Sequence, residues 1–177
     1  MTRVRAISPL IRPATEADIG GIVGISERIW RDSLAQVLGV DAESWSNIAG
    51  LLHAELIPIA RALLVATSGS RVVGYSYRNG AVIEDLWIDP PFQGAGIGPR
   101  LLRAQISAIA AEGYRTASLD CLEANIGARR FYEREGWRPV YRYSRPSQAF
   151  HRSISRIRFE YDVWRRPRSH RPNRVTN

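Results

Sequence analysis

The sequence predicts a mixed α/β fold, on three observations. A β-forming run, Ala81-Val82-Ile83-Glu84-Asp85-Leu86-Trp87-Ile88, is stopped by Pro90-Pro91, which donate no ladder N–H. A glycine-rich turn follows, and then a helix-periodic stretch in which Leu101, Leu102, Ile106, Ile109 and Ala110 share one face. Two turn signals upstream, Ser68-Gly69-Ser70 and Asn79-Gly80, separate β-rich runs and predict three antiparallel strands in succession. Downstream of the helix, 116–121 reads as a strand, and a strand, helix, strand order makes it parallel to the strand before the turn. The expected sheet is mostly antiparallel with one parallel pair.

Taken in order, 7–11 reads as a short strand, after which Thr15 is placed to cap a helix carrying Glu16 and Asp18 in its first turn. Ile19, Ile22, Val23, Ile25 and Ile29 give that helix its buried face. Gly20, Gly21 and Gly24 each weaken it by up to about 1 kcal/mol relative to alanine, which predicts a mobile wall. Residues 31–42 form a connection whose shape the sequence leaves open, flanked by Trp30 and Trp45. A second helix is expected over 44–61, with Trp45, Ile48, Leu52, Leu56 and Ile59 on one side and His53 as a surface or packed residue. Strands follow at 63–67 and 71–77, then the run to Ile88. The long helix is expected over 96–112, ending at Gly113. Asn125 is a good N-cap for a short helix that Gly136 terminates, and a strand begins at Trp137. The polar stretch 143–155, interrupted by Pro146, reads as a loop, and 156–164 alternates Ile157, Phe159, Tyr161 and Val163 as a half-buried strand.

Length and composition bound the rest. A chain of 177 residues with 45% apolar content is one domain by size, taken as 1–164, with 165–177 as a basic, disordered C-terminal tail of five Arg, two Pro and no acid. No run approaches the roughly 20 apolar residues of a membrane span, and the first dozen residues lack the apolar core of a signal peptide, so the expected compartment is cytoplasmic. One cysteine, Cys121, rules out an internal disulfide framework, and without a paired base it reads as a small buried residue and not a nucleophile. All 25 basic residues are Arg. Lysine chemistry is thereby excluded, because a guanidinium does not deprotonate at working pH. The charge is uneven: residues 1–135 carry 14 Arg against 15 acids, and 136–177 carry 11 Arg against Glu160 and Asp162. Such a tail can attract nucleic acid, but the commoner case is a solvated extension; nucleic acid is not expected as a partner except through this tail.

The turn itself, Gln93-Gly94-Ala95-Gly96-Ile97-Gly98, lacks Cβ atoms where the backbone must curl and joins a strand to a helix start. Amides there can point into a concavity at the positive end of the helix, which is a cradle for phosphate; the bland alternative is a tight corner. The spacing matches neither the nucleotide triphosphatase loop nor the dinucleotide fingerprint.

Leu86-Trp87-Ile88-Asp89-Pro90 followed by Gln93-x-x-Gly96-x-Gly98 resembles motif A of the GNAT N-acetyltransferase superfamily. A second stretch, Asn125-Ile126-Gly127-Ala128-Arg129-Arg130-Phe131-Tyr132-Glu133-Arg134-Glu135-Gly136-Trp137, resembles that family's Asn-x-x-Ala-x-x-Phe-Tyr-x-x-x-Gly-Phe pattern with Trp137 in the last place. Arg12-Pro13-Ala14-Thr15-x-x-Asp18 is similar to the family's opening strand and helix. Motif A and the second stretch together cover 81–141. The resemblance implies the GNAT acyl-CoA N-acyltransferase fold, a central mostly antiparallel sheet with a splayed parallel pair and about four helices. It also implies acetyl-CoA as co-substrate and no metal. Carried over by position, the backbone of Leu86, Trp87 and Ile88 meets the pantetheine arm and the oxyanion. The amides of Gln93, Gly94, Ala95, Gly96, Ile97 and Gly98 meet the pyrophosphate, and Asn125 meets the pantetheine. Pro99 departs from the family by lacking an N–H; Arg100 can compensate with charge.

Acylating an amine requires a proton to leave the ammonium, a donor for the carbonyl oxygen and a proton for the departing thiolate. By resemblance Tyr132 is the acid beside the sulfur; packing like Phe131 is the alternative. Glu84 is the first choice of base and Asp85 the second, a Glu-Asp pair similar to that of the polyamine acetyltransferases. Successive strand residues face opposite ways, so one of the two should reach the acceptor unless a bulge intervenes. Trp30 and Trp45 are candidate acceptor contacts, weighed against core packing. The expected function is acetyl transfer to a small-molecule primary amine, and a homodimer is a family expectation. The alternatives are a protein amino-terminal or lysine acetyltransferase, and an idle acyl-CoA-binding module whose tail binds nucleic acid.

Overall fold

The structure, a computed structural model, describes residues 9–41, 56, 58–147 and 152–164. Seven strands form one sheet: β1 (Leu10–Pro13), β2 (Leu63–Ser68), β3 (Arg71–Asn79), β4 (Val82–Ile88), β5 (Thr116–Leu122), β6 (Arg138–Ser147) and β7 (Arg152–Asp162). Their order is β1-β2-β3-β4-β5-β7-β6, antiparallel except for the β4–β5 pair. This is the mixed sheet with a parallel pair that the sequence predicts. Helices α1 (Ile19–Ile29), α2 (Ala35–Leu38), α3 (Ile97–Ala111) and α4 (Ile126–Arg134) lie between the strands. The helix expected over 44–61, with Trp45 and His53, falls mostly outside the described residues, as does the tail 165–177.

Two apolar layers sandwich the sheet, because adjacent strand residues point to opposite faces. Val65 and Val72 join Ile19, Ile22 and Ile25 of α1 on one face. Their neighbours Ala66 and Val73 join Ile97 and Leu101 of α3 on the other. Farther along α3, Leu102 and Ile109 pack on Ile83, Leu119, Ile157 and Phe159. The connection after α1 is a five-residue π-type turn, Trp30–Leu34, running into α2, which Gly39 closes in the left-handed conformation (φ 63°).

One expectation needs correcting. The stretch 143–155 read as a loop, yet β6 continues to Ser147 and β7 begins at Arg152, pairing through Ser144↔Ser155, Arg145↔Ile154 and Pro146↔Ser153. Pro146 is tolerated because β6 is the sheet's edge, where a missing N–H costs no ladder bond.

The start of α1 is fastened by charge. Thr15 caps the preceding Glu16–Asp18 turn, and the Asp18 carboxylate accepts from Thr15 N at 2.8 Å and from Arg12 at 2.7 and 2.9 Å. The Arg12 guanidinium holds the Asp18 carboxyl well below the usual carboxylate range. A depressed folded pKa gives stability that is present at neutral pH and lost as pH falls below about 4. Asp18→Asn is expected to cost about 2 kcal/mol at pH 7, since hydrogen bonds to a charged acceptor are lost and Arg12 is partly hydrated. Urea melts should show that difference shrinking as the pH falls toward 2, where the wild-type carboxylate is itself being protonated.

Candidate active site

The parallel ladder is short. β4 and β5 pair only at Val82↔Ser118 and Ile83↔Leu119, although both strands continue, β4 to Ile88 and β5 to Leu122. From Glu84 onward the β5-facing edge of β4 is therefore open, and the two strands form a fork. Leu86, Trp87 and Ile88 lie along its β4 arm, still held to β3 through Ser76, Tyr75 and Gly74.

At the fork's origin β4 bulges. Tyr77 pairs with Asp85 and the next β3 residue, Arg78, pairs with Ile83, so Glu84 is the extra residue. Ile83 and Leu86 then both pack toward α3, three positions apart, which strict alternation forbids. The exception foreseen for Glu84 and Asp85 is thus realised, and the two carboxylates differ sharply in setting. Glu84 is exposed. Asp85 accepts from Trp87 Nε1 at 2.9 Å, and its burial, partly offset by that bond and aided by the Glu84 charge, raises its pKa.

Tyr132 comes to the same place from α4. Asn125 caps this helix, its Oδ1 accepting from Ala128 N at 3.0 Å, which leaves the Asn125 amide N–H groups for another acceptor. The Tyr132 ring stands 5.2 Å from Phe131, 5.8 Å from Phe159 and 6.3 Å from Trp137. Burial pushes its hydroxyl far above the usual phenol range, and Cys121 on β5 and Asp85 on β4 push in the same direction. The phenol therefore holds its proton at neutral pH. Cys121, itself raised to about 11 by burial despite Arg129 and Arg156, is a protonated thiol at neutral pH.

Beyond Ile88 the chain makes a 3-10 turn, Pro90–Phe92, and enters the glycine turn. Gly94 (φ 77°) and Gly96 (φ 75°) are left-handed, and a Cβ at either would meet nothing within 4 Å, so these two face open space. Gly98 is different: a Cβ there would come 3.1 Å from the Phe131 ring, so this glycine lets α4 dock on the start of α3. Gln93 and Ala95 are exposed, and Gln93 Nε2 donates to Ile88 O at 3.2 Å. Ile97 and Gly98 open α3, so their amides have no helical carbonyl to donate to; Pro99 brings none, and Arg100 completes the turn. An open strand edge, a left-handed glycine curl and free amides at a helix start together fit a pantetheine diphosphate.

Trp30 is 4% exposed and packs with Ala35, Leu38 and Ile154, the core-packing alternative; Trp45 lies outside the described residues. Asp89 was not singled out by sequence. It is fully buried, and it accepts from Arg28 of α1 at 2.7 Å and from Arg71 of β3 at 2.6 Å, fixing the exit of β4. No local signal links positions 28, 71 and 89; only the packing of α1 across the sheet brings them together. Tyr75 was also missed: it sits 2.8 Å from Ser26 Oγ, and burial and the Asp85 charge raise its pKa.

The family model for the Acetyltransferase (GNAT) family matches residues 31–137, more than half of the chain and the whole of the fork and its turn. The chain belongs to the GNAT acetyltransferase family. As a member it is an acetyl-CoA-dependent N-acetyltransferase, with acetyl-CoA as co-substrate. Solved structures agree on the fold. The chain is similar to a GCN5-related N-acetyltransferase from Rhodopseudomonas palustris (19% identity, 87% of this chain and 95% of that one, TM-score 0.71). It is also similar to the PaiA N-acetyltransferase of Thermoplasma acidophilum in complex with coenzyme A (19%, 88% and 99%, 0.69). A third is the ribosomal-protein-alanine N-acetyltransferase of Brucella melitensis (23%, 86% and 99%, 0.65). A search of curated proteins returns no match. Among the described residues of this acetyltransferase, no helix is long and apolar enough to cross a membrane, and no three His, Cys, Asp or Glu side chains are grouped to hold a metal ion.

Proposed function

We propose that this acetyltransferase acylates the primary amine of a small molecule by direct attack in a ternary complex, with Asp85 as base and Tyr132 as acid. The observation that supports the reading is the bulge that sets Asp85 just past the end of the parallel ladder, together with Tyr132 packed on Phe159 of β7, the strand paired with β5. Bound acetyl-CoA supplies an activated thioester carbonyl. The open backbone of Leu86, Trp87 and Ile88 receives the arm and donates to the carbonyl oxygen, while the amides of Gly94, Gly96, Ile97 and Gly98 hold the diphosphate, those of Gln93 and Ala95 being spent on Pro90 O and Phe92 O at 3.2 and 3.4 Å. Asn125 steadies the pantetheine through its unused amide. Asp85 takes a proton from the ammonium, so that the N–C bond can form. The departing thiolate gains a proton from Tyr132 as the C–S bond breaks, and the proton shed by the acylated nitrogen restores the phenol. Glu84, exposed beside Asp85, supplies negative charge that draws a cationic acceptor toward the fork. The Trp30, Leu38 and Ile154 cluster packs the turn after α1 and α2 against β7.

A panel of amines that includes small mono- and polyamines, amino acids and peptides with free amino termini, assayed by thiol release from acetyl-CoA, tests the acceptor. Turnover confined to the peptides would replace the small-molecule reading with a protein-directed one, the Brucella protein being named a ribosomal-protein-alanine N-acetyltransferase. Calorimetry tests the donor: absence of heat with coenzyme A at millimolar ligand would sink the site.

Gly96 offers a graded check. An alanine there meets no neighbour but must keep φ near 75°, at a cost of about 1 kcal/mol. Gly96→Ala is expected to raise the KM for acetyl-CoA about fivefold with kcat within twofold, the pattern of lost ground-state binding.

A further inference from the structure

A polar cavity lies between α1 and the β2–β3 hairpin, and no residue of the fork is among its lining. It measures about 390 Å³ and is lined by Asp18, Gly20, Gly24, Arg28, Ser70 and Arg71 among others, a volume within the range of small-molecule sites. Two guanidinium groups dominate it. Arg28 uses Nε and Arg71 uses one terminal nitrogen on the two oxygens of buried Asp89, at 2.7 and 2.6 Å. The carboxylate therefore acts as a spacer that fixes both cations. Their side chains remain 42% and 56% exposed, and each guanidinium keeps donors that no described residue accepts. Arg71 also places its guanidinium carbon over the Phe92 ring, 5.2 Å from the centroid. Asp18, the other acid on the wall, is already matched by Arg12. Arg28, Arg71 and Asp89 thus leave one positive charge uncompensated, turned toward the cavity.

The helix wall supports the same conclusion independently. Two of its three glycines have packing reasons: a Cβ at Gly21 would come 3.2 Å from Val72, and one at Gly24 would touch Arg28 at 3.4 Å. Gly20 has none, since a Cβ there meets nothing within 4 Å, yet glycine weakens the helix by about 1 kcal/mol against alanine. A bare backbone facing an open, cation-lined cavity admits close approach of a ligand.

We propose that this cavity binds the phosphate group of a phosphorylated small molecule, with Arg28 and Arg71 as a preset pair of donors, Ser70 beside them and Gly20 leaving room for the ester. Fixed guanidinium donors suit a phosphate because its oxygens accept paired N–H bonds. The site is separate from the diphosphate cradle at 93–98, on the α1 side of the sheet.

The test is calorimetric titration of the full chain at constant ionic strength with inorganic phosphate and with ribose 5-phosphate, with coenzyme A present at saturation so that the cradle is filled. Saturable binding of ribose 5-phosphate is expected, weakened at least tenfold by Arg71→Gln and by Gly20→Leu. Gly20→Leu keeps every ion pair, favours helix and fills the cavity, so a melting temperature no lower than wild type separates its effect from misfolding. Absence of saturable heat, or binding that either variant leaves unchanged, would overturn the proposal. So would a response to inorganic phosphate without one to the sugar phosphate, which would mark an ion trap. The outcome does not depend on acetyl transfer: if coenzyme A itself fails to bind, the functional reading falls while the phosphate titration still reports on this cavity.

Discussion

Asp85→Asn is expected to lower kcat/KM for the amine by 10²-fold or more, the scale of a lost general base. The substitution keeps the shape and the acceptor for Trp87 Nε1 at 2.9 Å, so the protein should remain folded, and acetyl-CoA affinity should change by less than threefold. The pH profile makes the assignment specific. A base must be unprotonated to act, so wild-type activity falls as pH drops through the Asp85 pKa. Burial first, then the Glu84 charge, moves that pKa upward, so the acid limb should lie above the usual carboxylate value near 4. Glu84→Gln removes one of the two upward pushes and should shift the limb down while costing less than tenfold in rate. An unchanged limb in Asp85→Asn would reassign proton removal to another group.

Tyr132→Phe should lower kcat about 100-fold, near 2.7 kcal/mol of barrier, toward the lower end for general acids because a thiolate is already a fair leaving group. The ring contacts with Phe131, Trp137 and Phe159 survive the loss of one oxygen, so stability should barely move. Burial raises the Tyr132 pKa, which keeps its proton in place across the working range, so no basic limb is expected from it below about pH 10. A donor thioester with a more acidic thiol should narrow the gap between variant and wild type, since that sulfur needs less help. If kcat stays within twofold with acetyl-CoA, Tyr132 is a packing residue and the proton reaches sulfur by another route.

Several features of the site were legible locally. The glycine turn between β4 and α3, the Asn125 cap and the Tyr132 position are all short-range patterns, and their conformations follow from missing Cβ atoms and from a side chain capping its own helix. The edge strand β6 was not legible, because a polar run with Pro146 looks the same in an exposed edge strand and in a loop.

By itself the sequence determined the mixed sheet, the parallel pair and the glycine turn between strand and helix, since each depends on periodicity, turn chemistry and chirality within a few tens of residues. Only the tertiary structure decided which of two adjacent carboxylates is half-buried and which exposed, because that turns on a single bulge at Glu84 and on what packs above it. It also decided that Arg28 and Arg71 converge on Asp89, a contact spanning 61 and 18 positions that no local pattern encodes. Secondary structure answers to neighbours in the chain; burial and charge pairing answer to neighbours in space.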